Sequence, residues 1–197
     1  MRSVSRETMD RLSIYRALVE KWNPKINLVS PSTLPDFESR HLLDSLQLAD
    51  IAEPKEGIWL DLGSGGGLPG LVVAIMTVDR PLSVTLVESD QRKTAFLRNA
   101  IRELSLKNVS VISDRIMSIT AQNADYISAR ALASLPQLLE MVLMHMKPTG
   151  TAYLMKGRTW REELVQARTD WQFDLDAVPS RTDPEAAILK VTGVSHA

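Results

Sequence analysis

The chain has 197 residues, 44% of them hydrophobic and 24% charged, with no cysteine and a formal net charge of −1. That length suits one α/β domain with a sizeable core, and the missing cysteines exclude disulfides, thiolate zinc sites and cysteine nucleophiles. Lys and Arg number 23 against 24 Asp and Glu, so the chain lacks the basic excess of a general nucleic-acid binder, although a local basic patch stays open. Met1 to Asp10 is polar and has no apolar h-region, and no run approaches the roughly 18 apolar residues of a membrane span. A reducing compartment is expected, the cytoplasm, with neither membrane nor metal as a partner.

Residues 1 to about 50 read as a helical extension. Met9, Leu12, Tyr15, Val19 and Trp22 form one apolar stripe, which Asn23-Pro24 is expected to end because proline disfavours helical geometry in the residue before it. A second helix is expected near Asp36 to Ala49, with Phe37, His41, Leu42, Ser45 and Leu46 on a mixed face. After Pro54 the pattern changes to short apolar runs alternating with helical stretches. Strands are expected at Gly57–Asp61, Leu82–Val87, Val109–Ile112, Tyr126–Ser128 and Gly150–Met155, and a closing pair at Trp171–Leu175 and Ala187–Val191. Helices are expected at Leu68–Met76, Asp90–Leu104, Leu135–Met146 and Trp160–Thr169. The alternation implies a mostly parallel seven-stranded sheet, Rossmann-like, with helices on both faces. Residues 1–54 then extend a core formed by 55–197, all within a single domain. No repeat or low-complexity segment interrupts it.

The most informative segment is Asp61-Leu62-Gly63-Ser64-Gly65-Gly66-Gly67-Leu68-Pro69-Gly70, between a hydrophobic strand and a hydrophobic helix. Glycines there let the backbone approach a ligand closely, and strand ends near a topological switch point are where α/β sheets bind ligands. A Walker loop is excluded because no lysine follows the glycines. A G-x-G-x-x-G dinucleotide loop is nearly satisfied, which keeps a nicotinamide oxidoreductase open. Asp61, two residues before the first glycine, suits a cofactor with a cationic amino-acid end better than a pyrophosphate. Glu88, ending the next strand, suits the two ribose hydroxyls of an adenosine. The expected cofactor is therefore S-adenosylmethionine.

These residues also resemble a known family. Asp61 to Gly70 is similar to the first motif of the small-subunit rRNA guanine-N7 methyltransferases, the RsmG or glucose-inhibited division protein B family. Trp22-Asn23-Pro24-Lys25-Ile26-Asn27-Leu28 and Arg40-His41-Leu42-Leu43-Asp44-Ser45 resemble its N-terminal signatures. Val87-Glu88-Ser89-Asp90 with Arg92-Lys93 and Phe96-Leu97, Ser128-Ala129-Arg130-Ala131 and Lys156-Gly157 resemble later ones. The likeness spans nearly the whole chain. It implies a class I methyltransferase fold and methyl transfer to N7 of a guanine near the decoding centre of 16S ribosomal RNA, with that RNA or the small subunit as partner. It departs at Met117, where family members often carry an acidic residue after Arg115-Ile116.

Guanine N7 is a lone-pair acceptor with no proton to remove, so no general base is required and no Ser/His/Asp set is expected. Arg130 and Lys156, at consecutive strand ends, are the candidate catalytic cations, for phosphate or the guanine edge. The expected cofactor set is Asp61, Gly63, Ser64, Gly65, Gly67, Leu68, Glu88, Arg115, Ile116 and Arg130. His41 and Asp44, three apart on one face, either close the pocket or tie the extension to the sheet. His41, His145 and His196 lack metal-ligand spacing, and His145 reads as a core or surface-edge residue. Met141, Met144 and Met146 read as core filling, and Arg92, Lys93, Arg98 and Arg102 as a solvated helix face. A monomer is expected. A methyltransferase for another RNA or a small molecule, and a non-catalytic ribosome-binding module, remain as alternative readings.

Overall fold

The computed structural model describes residues 5–197; the first four residues of the expected helical extension lie outside it. Helix α1 (Arg6–Ile26) starts where the Ser5 hydroxyl accepts the Thr8 amide at 3.1 Å. It buries Leu12, Tyr15 and Val19, with Thr8 and Asn23 completing the stripe. Met9 is 51% exposed, so the buried face is rotated towards Thr8 relative to the expected one. The helix also runs through Pro24 to Ile26. In the last turn proline removes one amide donor, and the true stop is Asn27, left-handed at φ 47°, whose N–H returns to the Asn23 carbonyl.

A π-helical turn (Phe37–Leu42) and α2 (Leu43–Ala52) replace the single helix expected at 36–49. The wider turn inserts about one residue per turn and brings Phe37, His41 and Ser45 to the buried side. Then follow β1 (Gly57–Leu62), α3 (Gly70–Met76), β2 (Leu82–Val87), α4 (Gln91–Glu103) and β3 (Val109–Ile112). Helix α3 begins two residues later than expected, because Leu68 and Pro69 still belong to the glycine loop. The second half is β4 (Ala124–Arg130), α5 (Leu135–His145), β5 (Met146–Lys156), α6 (Trp160–Ala167), β6 (Trp171–Pro179) and β7 (Ala187–His196). Strand β5 takes in Lys147-Pro148, the pair expected only to stop the helix, and its register against β4 shifts between Ala124 and Tyr126. Arg130 is the last residue of β4, one pair beyond Ala129, rather than a residue following the strand.

The seven strands lie in the order β3-β2-β1-β4-β5-β7-β6. β1 is parallel to β2 and β4, β2 to β3, and β4 to β5, while β7 runs antiparallel to both its neighbours. The chain walks outward from β1 to β3 and restarts at β4, so the crevice between the ends of β1 and β4 is the switch point. Alternate residues of β1 face opposite layers. Trp59 joins a cluster with α1 to α4, and Leu60 and Leu62 join one with α5 and α6. Tyr15, Val19 and Phe37 of the extension belong to the first cluster, and Trp22 meets Phe96 of α4 edge-on at 5.7 Å.

Phe96 is fully buried. Phe96→Ala should lower the unfolding free energy by about 3–5 kcal/mol, read by chemical denaturation. Because α1 packs on this ring, a tryptophan signal from Trp22 should fall in the same transition as far-UV dichroism. Separate transitions would show that the extension is a unit of its own.

Candidate functional site

Two cavities meet at the carboxyl edge of the sheet. The larger, about 870 Å³, is lined by Gly63 to Gly66 and Leu68 of the loop, by Val87 and Glu88, by Asp114 to Ser118, and by Leu28 to Ser30. The second, about 630 Å³, lies over the ends of β4 and β5 against the segment before β7. Arg130, His41 and Ala131 wall both.

The loop is held from below and from the side. Gly63, Gly65 and Gly67 have φ of 63°, 56° and 89°. The Gly65 amide donates to Glu88 Oε2 at 2.8 Å, and the Asp90 amide to Glu88 Oε1 at 2.8 Å. Each carboxylate oxygen keeps a lone pair beyond these bonds, and Glu88 lines the larger cleft. A Cβ on Gly65 would meet nothing nearer than the Gly63 carbonyl at 3.8 Å, so left-handed geometry rather than space requires glycine there.

Asp61 lies beneath the loop, fully buried and on neither cavity wall. The Ser128 hydroxyl donates to its Oδ1 at 2.6 Å, the Gly70 amide to its Oδ2 at 3.3 Å, and Trp59 Nε1 to Ser128 Oγ at 2.8 Å. Burial pushes the Asp61 carboxyl up to about 6, against the lowering effect of the bonds from Ser128 and Gly70. The carboxylate thus ties β1 to β4 and to the start of α3.

Arg130 is gripped by the extension. Its Nη2 donates to His41 Nδ1 at 2.6 Å, and its Nε lies 3.8 Å from Asp44 Oδ2. Nη1 is buried without a partner. With Nδ1 accepting, the His41 proton sits on Nε2, 2.8 Å from Thr33 Oγ1. Burial, then the Arg130 and Arg40 charges, lower the His41 pKa to about 4. Asp44 also accepts from the Ser180 and Thr182 hydroxyls, and burial raises its carboxyl. Both readings of His41 and Asp44 thus hold together: they tie the extension to the sheet, and His41 walls the cleft. Lys156 lines the smaller cavity and is paired there. Its ammonium is 2.7 Å from Glu163 Oε2 and donates to the Ala133 carbonyl at 2.8 Å, and the same Glu163 oxygen accepts the Leu135 amide at 2.7 Å.

A model of the family described as GidB, rRNA small subunit methyltransferase G, matches residues 8–187. The chain belongs to the GidB family. A relative from Paracoccus denitrificans (strain Pd 1222), named ribosomal RNA small subunit methyltransferase G, is 57% identical over 99% of this chain and 100% of its own length. One of the same name from Ruegeria sp. (strain TM1040) is 50% identical, over 98% and 94%. Among solved structures, a SAM dependent methyltransferase from Aquifex aeolicus superposes with a TM-score of 0.63 at 16% identity, covering 89% of this chain and 97% of that one. A ribosomal protein L11 methylase from Lactobacillus delbrueckii subsp. bulgaricus gives 0.61 at 14%, covering 76% of each. These two show the fold, the Rossmann-like sheet of methyltransferases.

The GidB signatures now have physical content. In Trp22 to Leu28, the Asn23 side chain accepts the Val29 amide at 2.9 Å and turns the chain so that Leu28 to Ser30 wall the larger cleft. In Arg40 to Ser45, the π-helical turn delivers His41 and Asp44 to Arg130. Of the expected cofactor residues, Gly63, Ser64, Gly65, Leu68, Glu88, Arg115, Ile116 and Arg130 line that cleft; Asp61 and Gly67 do not. Gly66 and Lys93, from motifs already singled out, line it too, and so do Leu28, Asp114 and Leu132, which had no expected role there. Nothing in their local spacing marks them, because loop 27–30 and the loop after β4 reach the site only through tertiary packing. Met117, the departure from the family pattern, lines the mouth at 45% exposure. His145 is buried, with Nε2 at 3.0 Å from the Ile116 carbonyl. Met141, Met144 and Met146 are only part-buried, and Met141 reaches the cleft. On α4, Arg92 and Arg98 are exposed as expected of a solvated face, and Lys93 turns to the cleft. Among the described residues no cluster of three or more His, Cys, Asp or Glu side chains is placed to hold a metal, and no helix is long and apolar enough to cross a membrane.

His41 gives a pH test. Unfolded, it takes a proton near 6.5; folded, only near 4. Between those values the unfolded state binds more protons, so wild-type stability should fall as pH falls through this window. His41→Gln removes that contribution. The unfolding free energies of the two proteins should therefore draw together or cross between pH 7 and 4.5, the wild type losing more, whereas parallel curves would reject the assignment.

Proposed function

We propose that this chain transfers the methyl group of S-adenosylmethionine to N7 of a guanine near the decoding centre of 16S ribosomal RNA. The observation that carries this reading is the larger cleft, at the switch point between the glycine loop and Glu88, in a chain of the GidB family. On this reading the chain works in the cytoplasm, as a monomer and as one domain, with the naked RNA or the small subunit as substrate.

The residues present fit the cofactor. The cleft volume lies in the range of small-ligand sites, and its walls hold both Glu88 and Asp114 and the cations Lys93, Arg115 and Arg130, as a ligand carrying both signs of charge requires. Glu88 has lone pairs for two ribose hydroxyls. Loop residues Gly63 and Gly65 let the backbone approach the amino-acid end, with Asp61 acting through the loop.

S-adenosylmethionine, when bound, supplies a methyl on a sulfonium, and its passage to N7 moves positive charge from sulfur to the guanine ring without moving a proton. The protein's task is therefore alignment and electrostatics. Arg130, shared by both cavities, stands between a donor in the larger cleft and an acceptor base in the smaller one. His41 stays neutral near pH 7, so the guanidinium it holds is the charge at this wall. Lys156 braces the loop after β4 through Ala133 and Glu163. Arg40 and Arg115, exposed at the two mouths, are free to meet RNA phosphates, which makes RNA binding weaken as salt rises.

Calorimetry should show S-adenosylmethionine binding. Glu88→Ala should weaken it by about 1–3 kcal/mol through stranded hydroxyl partners, and Gly65→Val should abolish it in a folded protein because a branched residue is excluded from left-handed φ. NAD binding without a response to S-adenosylmethionine would overturn the cofactor.

Arg130→Ala should lose labelled-methyl transfer to small ribosomal subunits while keeping most cofactor affinity. Arg130→Lys should also fail, since a point charge cannot make the bidentate grip. A parallel loss of cofactor affinity would move Arg130 to the donor side.

A further inference from the structure

The hydrogen bond from Tyr15 to the glycine loop is not explained by packing. Tyr15 sits in the middle of α1, fully buried, and its hydroxyl donates to the Gly66 carbonyl at 2.6 Å across 51 residues of sequence. Phenylalanine would fill the same space and keep the edge contact with Phe37, whose ring centroid is 5.9 Å away. Burial raises the phenol pKa, so the group stays protonated and acts as a donor at any working pH.

The acceptor matters because of where it falls. In a helix the amide of residue 70 bonds the carbonyl of residue 66. Here the next bond in that series is formed, Leu71 amide to Gly67 carbonyl at 2.8 Å, but the Gly70 amide goes to Asp61 Oδ2 instead. The Gly66 carbonyl, released from that bond, goes to Tyr15. With Gly67 left-handed, the Gly66 carbonyl and the Gly70 amide do not pair, and each is taken by a side chain from a different side. The segment after α1 presses on the same peptide: a Cβ at Gly66 would lie 3.1 Å from Leu28 Cβ and 3.3 Å from the Leu28 carbonyl.

We infer that Tyr15 is a positioning residue of the cofactor loop, which with Asp61 stops α3 from winding back into Gly63–Gly67, so that the N-terminal extension is part of the binding machinery. This rests on the larger cleft being the S-adenosylmethionine site. Tyr15 lines neither of the two cavities, and its hydroxyl reaches the site through the Gly66 carbonyl.

The test compares Tyr15→Phe with wild type by calorimetry against S-adenosylmethionine, by hydrogen exchange of the amides of residues 63–70 without cofactor, by thermal unfolding, and by methyl transfer to small subunits. The variant should bind cofactor about five- to tenfold more weakly, the effect of one lost buried hydrogen bond, and should exchange faster across 63–70. Its transfer rate at saturating cofactor should stay within about twofold of wild type, because the interaction is made equally before and during reaction. Unchanged affinity with unchanged exchange would overturn the inference, as would a lowered melting temperature with affinity intact, which marks a purely structural hydroxyl. A wild-type protein that binds no S-adenosylmethionine would instead overturn the cofactor reading, and the exchange comparison would still decide the role of Tyr15.

Discussion

A carboxylate with no exposed surface holds the site together. Asp61 joins three elements that have no other reason to agree on an orientation: β1, which carries it; β4, through the Ser128 hydroxyl; and the first amide of α3. Removing a carboxylate from water is costly unless its oxygens are bonded, and here Oδ1 and Oδ2 each accept a donor that is also fixed. Ser128 is itself held by the indole N–H of Trp59, whose ring stacks on Tyr126 and Tyr153. The stiffness of the aromatic layer therefore reaches the glycine loop through two hydroxyl-mediated bonds. A rigid loop is what a binding site built on backbone approach needs, since glycine supplies freedom and something else must remove it.

Much of this was legible before any coordinates, for definable reasons. Val109–Ile112 is a short β-branched run, broken only by Ser110, between polar turns, and the strand has those bounds. Glu88 directly follows β2 and lines the cleft, its carboxylate held there by the Gly65 and Asp90 amides. What sequence could not resolve is register and facing. Asp61 stands opposite Ser128 across β1 and β4, a pairing set by the whole sheet, so its supporting role could not be read from its place beside the glycines. Lys156 shows the same limit: it lines the smaller cavity, and its ion pair with Glu163 depends on a helix whose position no local pattern gives. Pro24 shows the opposite error, a strong local signal overridden: the helix gives up one amide donor there and runs on to Ile26 before left-handed Asn27 ends it.

Family signatures tend to be credited to ligand contact, and this protein divides them differently. Asn23 touches no cavity; it turns the chain so that its successors do. His41 does two things at once: its Nδ1 accepts from the Arg130 guanidinium, which fixes the tautomer, and its Nε2–H is left for the Thr33 hydroxyl. Residues that shape and residues that touch are interleaved along each motif, which is why motif membership alone does not assign a role.

The position of β7 bears on how the molecule is made. It lies between β5 and β6 although it is the last strand of the sequence, so β6 has no sheet neighbour until β7 has emerged from the ribosome. The segment that leads into β7 also forms a wall of the smaller cavity, through Pro184, Ala187 and Ile188. The turn between β6 and β7 docks on the extension, where Gln47 bonds the Pro179 carbonyl and the Arg181 amide, 132 and 134 residues away. A nascent chain, folding from its N-terminus, can therefore assemble the glycine loop and its supports well before synthesis ends. The smaller cavity comes into being only once residues 180–188 have been made, after the larger cavity and its supports.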